Sequence, residues 1–70
     1  MLAGQRLRFE NIKRTEELIV SKMEFHEAVS LIAFKTGVTQ RLAREYLEIL
    51  ISVGQIKLDD GFVTPVVKNA

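Results

Sequence analysis

The period of the apolar residues changes along the chain. Phe25, Ala28, Val29, Ile32 and Ala33 recur at steps of three and four, as in a helix that buries one face. This predicts a helix over about 25–36, with Leu31 and Phe34 widening its apolar stripe. An earlier stripe of Phe9, Ile12, Ile19, Val20 and Met23 predicts a first helix over about 8–21. Glu16 interrupts that stripe, and residues 1–7 read as a flexible basic arm. A third helix is predicted over about 40–53. Wound at 100° per residue, Leu42, Ala43, Tyr46, Leu47, Ile49, Leu50, Ile51 and Val53 fill an arc of about 200°. Arg41, Arg44, Glu45, Glu48 and Ser52 fill the remainder, with Gln40 at the N-terminal end. One broad face is expected to be buried, and one narrow face offered to solvent or a ligand.

Punctuation between these segments is local chemistry. Gly37 stands where the second helix must end, and glycine takes the left-handed conformation there at little cost. Thr39 is a good N-cap for the third helix, which ends at Gly54. Glu24 with Glu27 resembles a weak capping box. Met23-Glu24-Phe25 reads either as a very short strand or as a connector. After Gly54 the period becomes two: Ile56-Lys57-Leu58-Asp59 alternates as a half-buried strand does. Asp60-Gly61 is a two-residue hairpin signal, and Phe62-Val63-Thr64 resumes a strand that Pro65 is expected to confine to a sheet edge. Residues 67–70 read as a frayed tail. The fold class expected is mainly α with a small β-hairpin, in a single domain spanning residues 1–70.

Composition agrees with one small globular unit. Of 70 residues, 47% are hydrophobic and 27% charged, which excludes a disordered or collagen-like chain. Aromatics make up only 7%, so the core must be aliphatic. Cysteine is absent and His26 is the single histidine, so neither a disulfide scaffold nor a thiolate or multi-histidine metal cage is expected. The longest apolar run is four residues, Leu31-Ile32-Ala33-Phe34, where a membrane-spanning helix needs about 20. Met1-Leu2-Ala3-Gly4 lacks the apolar core of a signal peptide, so a cytoplasmic location is expected.

Net charge is +1, and its distribution says more than its sum. Between residues 23 and 54 the cations Lys35, Arg41 and Arg44 all fall in a stretch without an acid. Such a window hints at a phosphate-facing surface. The other polar residues have plainer readings. His26 is expected in an exposed first turn, without a metal or catalytic role. Asp60 is explained by the hairpin turn, Glu16-Glu17 by a solvated helix face, and Tyr46 by the core with its hydroxyl at the edge. No nucleophile has a histidine placed to activate it, and no phosphate-binding glycine loop is present. No enzyme activity, cofactor, metal or small-molecule ligand is expected.

Two helices joined by a short glycine turn suggest a helix-turn-helix. The stretch Ala33-x-x-x-Gly37-Val38-Thr39-Gln40-Arg41-Leu42-Ala43-Arg44 resembles that motif closely. The continuation, a leucine-rich third helix, Gly54 and a hairpin, resembles the winged helix-turn-helix superfamily over about residues 23–66. It looks most like the short one-domain regulators common in archaea and their viruses. The resemblance implies three helices plus a C-terminal wing. It further implies that Ala33 lets the helices approach, Gly37 makes the turn, Val38 plugs it and Thr39 caps the recognition helix. It also implies double-stranded DNA as partner and a role in transcription regulation. Major-groove readers use the N-terminal end of the recognition helix, which makes Gln40, Arg41 and Arg44 the candidate base readers. Arginine can bind guanine bidentately, and glutamine can bind adenine. Thr39 with the helix N-terminus could hold a phosphate, flanked by Lys35 and Thr36, with Lys57 contributing from the wing. Glu45 and Glu48 would repel phosphates, so only the first two helical turns should enter a groove. Asp59-Asp60 makes the wing tip acidic, where a DNA-tracking wing usually carries Arg or Lys. That acidic tip favours the alternative, a winged-helix protein–protein interaction module. The third helix's apolar arc exceeds the roughly 100° stripe of an ordinary surface helix. A short chain has little interior to hide the excess, so a homodimer through the N-terminal helix is expected. The contrary expectation is a monomer in which the wing and first helix cover everything.

Overall fold

A computed structural model describes the backbone of residues 3–66 and the side chains of residues 8–66. The elements run α1 (Ala3–Leu18), β1 (Met23–Glu24), α2 (Phe25–Thr36), α3 (Gln40–Ser52), β2 (Ile56–Asp59) and β3 (Phe62–Pro65). The strands form one antiparallel sheet in the order β1-β3-β2. Three helices and a C-terminal hairpin, joined by a short strand from the α1–α2 connection, match a mainly α, winged helix-turn-helix layout. The expected tail at 67–70 lies outside the described residues.

Local chemistry sets the helix ends. Glu24 is extended, and its carboxylate accepts the N–H of Glu27 at 2.9 Å, so it caps α2. At the other end Gly37 takes φ 72°, and its N–H donates to the Ala33 carbonyl at 3.0 Å. Thr39 returns to extended backbone, and its Oγ1 accepts the N–H of Leu42 at 3.2 Å. The turn between α2 and α3 is therefore held by a left-handed glycine and an N-cap two residues apart. Past α3, the N–H of Gln55 reaches back to the Leu50 carbonyl at 2.9 Å and turns the chain into β2.

The core joins Ile19, Ala28, Val29, Ile32, Ala43, Leu47, Leu50, Ile56 and Val63. Val38 packs against it from the turn, and Tyr46 is buried on α3. The stripe expected on the first helix is corrected. α1 begins at Ala3, inside the segment read as an arm, and ends at Leu18. Its inward side carries Ile12 and Thr15, with Ile19 just past its end, while Phe9 and Val20 are exposed. Thr15 can be fully buried because its hydroxyl donates to the Asn11 carbonyl at 2.7 Å, which leaves no orphan polar proton. Phe34 does not widen the α2 stripe: it is 82% exposed, almost diametrically opposite Ile32 at 100° per residue. The buried face of α3 is also narrower than its apolar arc. It consists of Ala43, Tyr46, Leu47 and Leu50, whereas Leu42 and Val53 reach solvent. Ala33 is only partly buried, and the fully buried alanines are Ala28 and Ala43.

The hairpin forms at the residues expected. Asp59 pairs with Phe62 across a two-residue turn in which Asp60 and Gly61 take φ 52° and 81°, the positive pair of a type I′ turn. The place of Pro65 differs from the expectation, because β3 is the central strand. β1 pairs only with Phe62 and Val63. By Pro65 the strand has β2 alone beside it, so the missing N–H breaks no second ladder.

Candidate nucleic-acid interface

The turn and the front of α3 present several exposed polar side chains, with Thr36 and Val38 of the turn partly buried among them. Lys35, Thr39, Gln40, Arg41 and Arg44 are all exposed. The helical period sets Arg44 one turn behind Gln40 and Arg41. Because Thr39 satisfies only the Leu42 N–H, the N–H groups of Gln40 and Arg41 have no partner within the helix. They lie at its positive end, where anions are favoured. The surface therefore offers two guanidiniums, one ammonium, one amide and free backbone donors. Its acids sit further back: Glu48 is exposed and Glu45 partly buried on later turns of α3.

Two of the expected residues are placed differently. Thr36 is partly buried, and its hydroxyl donates to the Ile32 carbonyl at 2.6 Å. Its proton is committed within α2, so Thr36 can only accept. Lys57 is exposed and pairs with Thr64. Its neighbour Ile56 enters the core, so strand alternation turns Lys57 to the sheet face away from the helices. It does not join the polar face of α3. Comparison with protein-family models, with curated proteins and with solved structures gives no match.

The wing is tied down rather than projecting. The Gly61 carbonyl accepts the Phe25 N–H at 2.9 Å, and Glu24 lies opposite Phe62. The acidic turn Asp59-Asp60 is thereby held beside the start of α2. On the outer sheet face the Lys22 ammonium lies 4.8 Å from the Phe62 ring centre, a favourable cation–π distance. His26 is exposed, with its ring edge-on to Phe25 at 5.8 Å. Among the described residues, no group of three or more His, Cys, Asp or Glu converges as a metal site. No described helix is long and apolar enough to cross a membrane.

Sequence reasoning missed the exposure of Phe34 and Val53 and the tethering of the wing. A helical wheel drawn around Ala28, Val29 and Ile32 would have isolated Phe34. Nothing local announces that Gly61 will meet Phe25.

Proposed function

We propose that the protein is a cytoplasmic, sequence-specific DNA-binding transcriptional regulator that reads the major groove with the first two turns of α3. The observation supporting this is the exposed cluster of Gln40, Arg41 and Arg44 at the free N-terminal end of a helix capped by Thr39. Gln40 and the two arginines carry base recognition, and Lys35, Thr39 and the helix N-terminus hold phosphates. Thr36 and Lys57 have lesser parts, since the hydroxyl of one is occupied and the other lies off the face. The domain carries no catalytic role. Pairing of two copies through α1 supplies two recognition helices for a two-part operator.

Duplexes selected from a random pool, tested by gel shift at two salt concentrations, examine this directly. Affinity should fall steeply with salt, as phosphate binding requires. Arg41→Ala and Arg44→Ala should leave the fold intact. Each should weaken binding by about 1–3 kcal/mol if its guanidinium reads a base edge. An arginine that holds only a phosphate would, on removal, weaken all sequences alike and reduce the salt slope by about one. Lys57→Ala should matter less than either. Wild-type protein without salt-sensitive affinity for any duplex would sink the regulator. The second reading, a protein-interaction module, would then stand, favoured by the 82% exposed Phe34 and by an acidic wing drawn in against α2.

A further inference from the structure

Between α1 and the end of α3 runs an open groove of about 310 Å³ lined by Phe9, Ile12, Lys13, Glu16, Leu50 and Gln55. Four of these residues belong to α1, at offsets of three, four and seven, which is one helical face. That face borders the inward side that carries Thr15 and shares Ile12 with it. It is apolar at one end, where Phe9 is 64% exposed, and it carries one cation and one anion a single turn apart.

We propose that this groove is filled by α1 of a second copy of the chain, packed antiparallel about a twofold axis that passes midway between Lys13 and Glu16. This rests on the reading of the protein as a homodimer through α1, and specifies its geometry. The charge pattern selects the direction. In a twofold contact, residue i meets j and j meets i. The antiparallel register therefore sets Lys13 against the partner's Glu16 and Glu16 against the partner's Lys13, two ion pairs from one pair of residues. A parallel register would set Lys13 against Lys13 and Glu16 against Glu16, repelling twice. The antiparallel register also carries Phe9 toward the C-terminal end of the partner's α1, beyond which the partner's Val20 follows. Val20 is 75% exposed and otherwise stands in water just past the end of α1. Each end of the paired helices then holds one Phe9 beside the end of the other α1, and the charges meet between the two ends.

Sedimentation equilibrium on the full chain, with circular dichroism to check folding, tests the arrangement. Wild type should dimerise below about 100 µM, the range in which mass action populates a modest interface. Lys13→Glu and Glu16→Lys should each raise the dimer dissociation constant about tenfold or more, because each replaces two attractions with two repulsions. Mixing the two variants should restore pairing as a heterodimer, which a merely structural defect in α1 would not do. Phe9→Asn should weaken the dimer without lowering helix content, and it decides the matter if a charge variant fails to fold. A wild-type monomer at about 100 µM overturns both the homodimer and this geometry. A wild-type dimer that ignores the charge reversals, shows no rescue on mixing, or survives Phe9→Asn overturns the antiparallel register alone. DNA affinity is measured separately, so neither result is mistaken for failure of the regulator reading.

Discussion

Replacing Gly37 isolates the backbone cost of the turn between α2 and α3. Gly37 has φ 72° and ψ 24°, and a Cβ built there meets no atom within 4 Å. A side chain is therefore strained by conformation alone, with no steric clash to confuse the result. Holding an L-residue in the left-handed region costs roughly 1–2 kcal/mol. Gly37→Ala also restricts the unfolded chain, which offsets about 0.4–1 kcal/mol of that strain. The net loss should be about 1 kcal/mol, or roughly 4–8 °C in Tm for a domain of this size. Gly37→Asn should lose less, since asparagine visits the left-handed region more readily. Gly37→Val should lose most, because a β-branched residue is a true outlier there. Urea and thermal unfolding followed by circular dichroism would give the order wild type, Asn, Ala, Val. Asn no better than Ala, or Val no worse than Ala, would refute a left-handed Gly37 and with it the turn that joins α2 to α3.

Two further substitutions probe the support of the site. Thr39→Ala removes the oxygen that accepts the Leu42 N–H and should cost about 1 kcal/mol in urea unfolding; an unchanged midpoint would mean the cap contributes nothing. Leu47→Ala opens a cavity at a side chain with 0% exposure and should cost about 2–5 kcal/mol. A cost in the upper part of that range would leave a domain this small largely unfolded by circular dichroism at room temperature, and native-like melting would contradict the core described.

What could be read from the chain was whatever neighbouring residues settle among themselves. The bounds of α2, the turn at Gly37, the cap at Thr39 and the Asp60-Gly61 hairpin each depend on backbone preferences and hydrogen bonds spanning a few residues. The placement of Gln40, Arg41 and Arg44 was legible for the same reason: they lie at one helix end, and the helical period puts them together. The remainder needed partners far apart in sequence. Met23 and Glu24 form a strand only because Val63 and Phe62 come alongside. Pro65 is tolerated in the central strand only because β1 stops short of it. The burial of Thr15 and the exposure of Phe9, Phe34 and Val53 depend on which side of each helix meets another element, and apolar spacing cannot settle that when a helix carries more apolar surface than its neighbours cover. Thr36 and Lys57 are placed by different causes, the hydroxyl of one turned back into its own helix and the other side chain turned outward by the pleat. The wing was drawn against α2 by the pairing of Met23 and Glu24 with Val63 and Phe62 and by the hydrogen bond from Phe25 to Gly61, joining distant stretches of chain in a way that no local preference encodes.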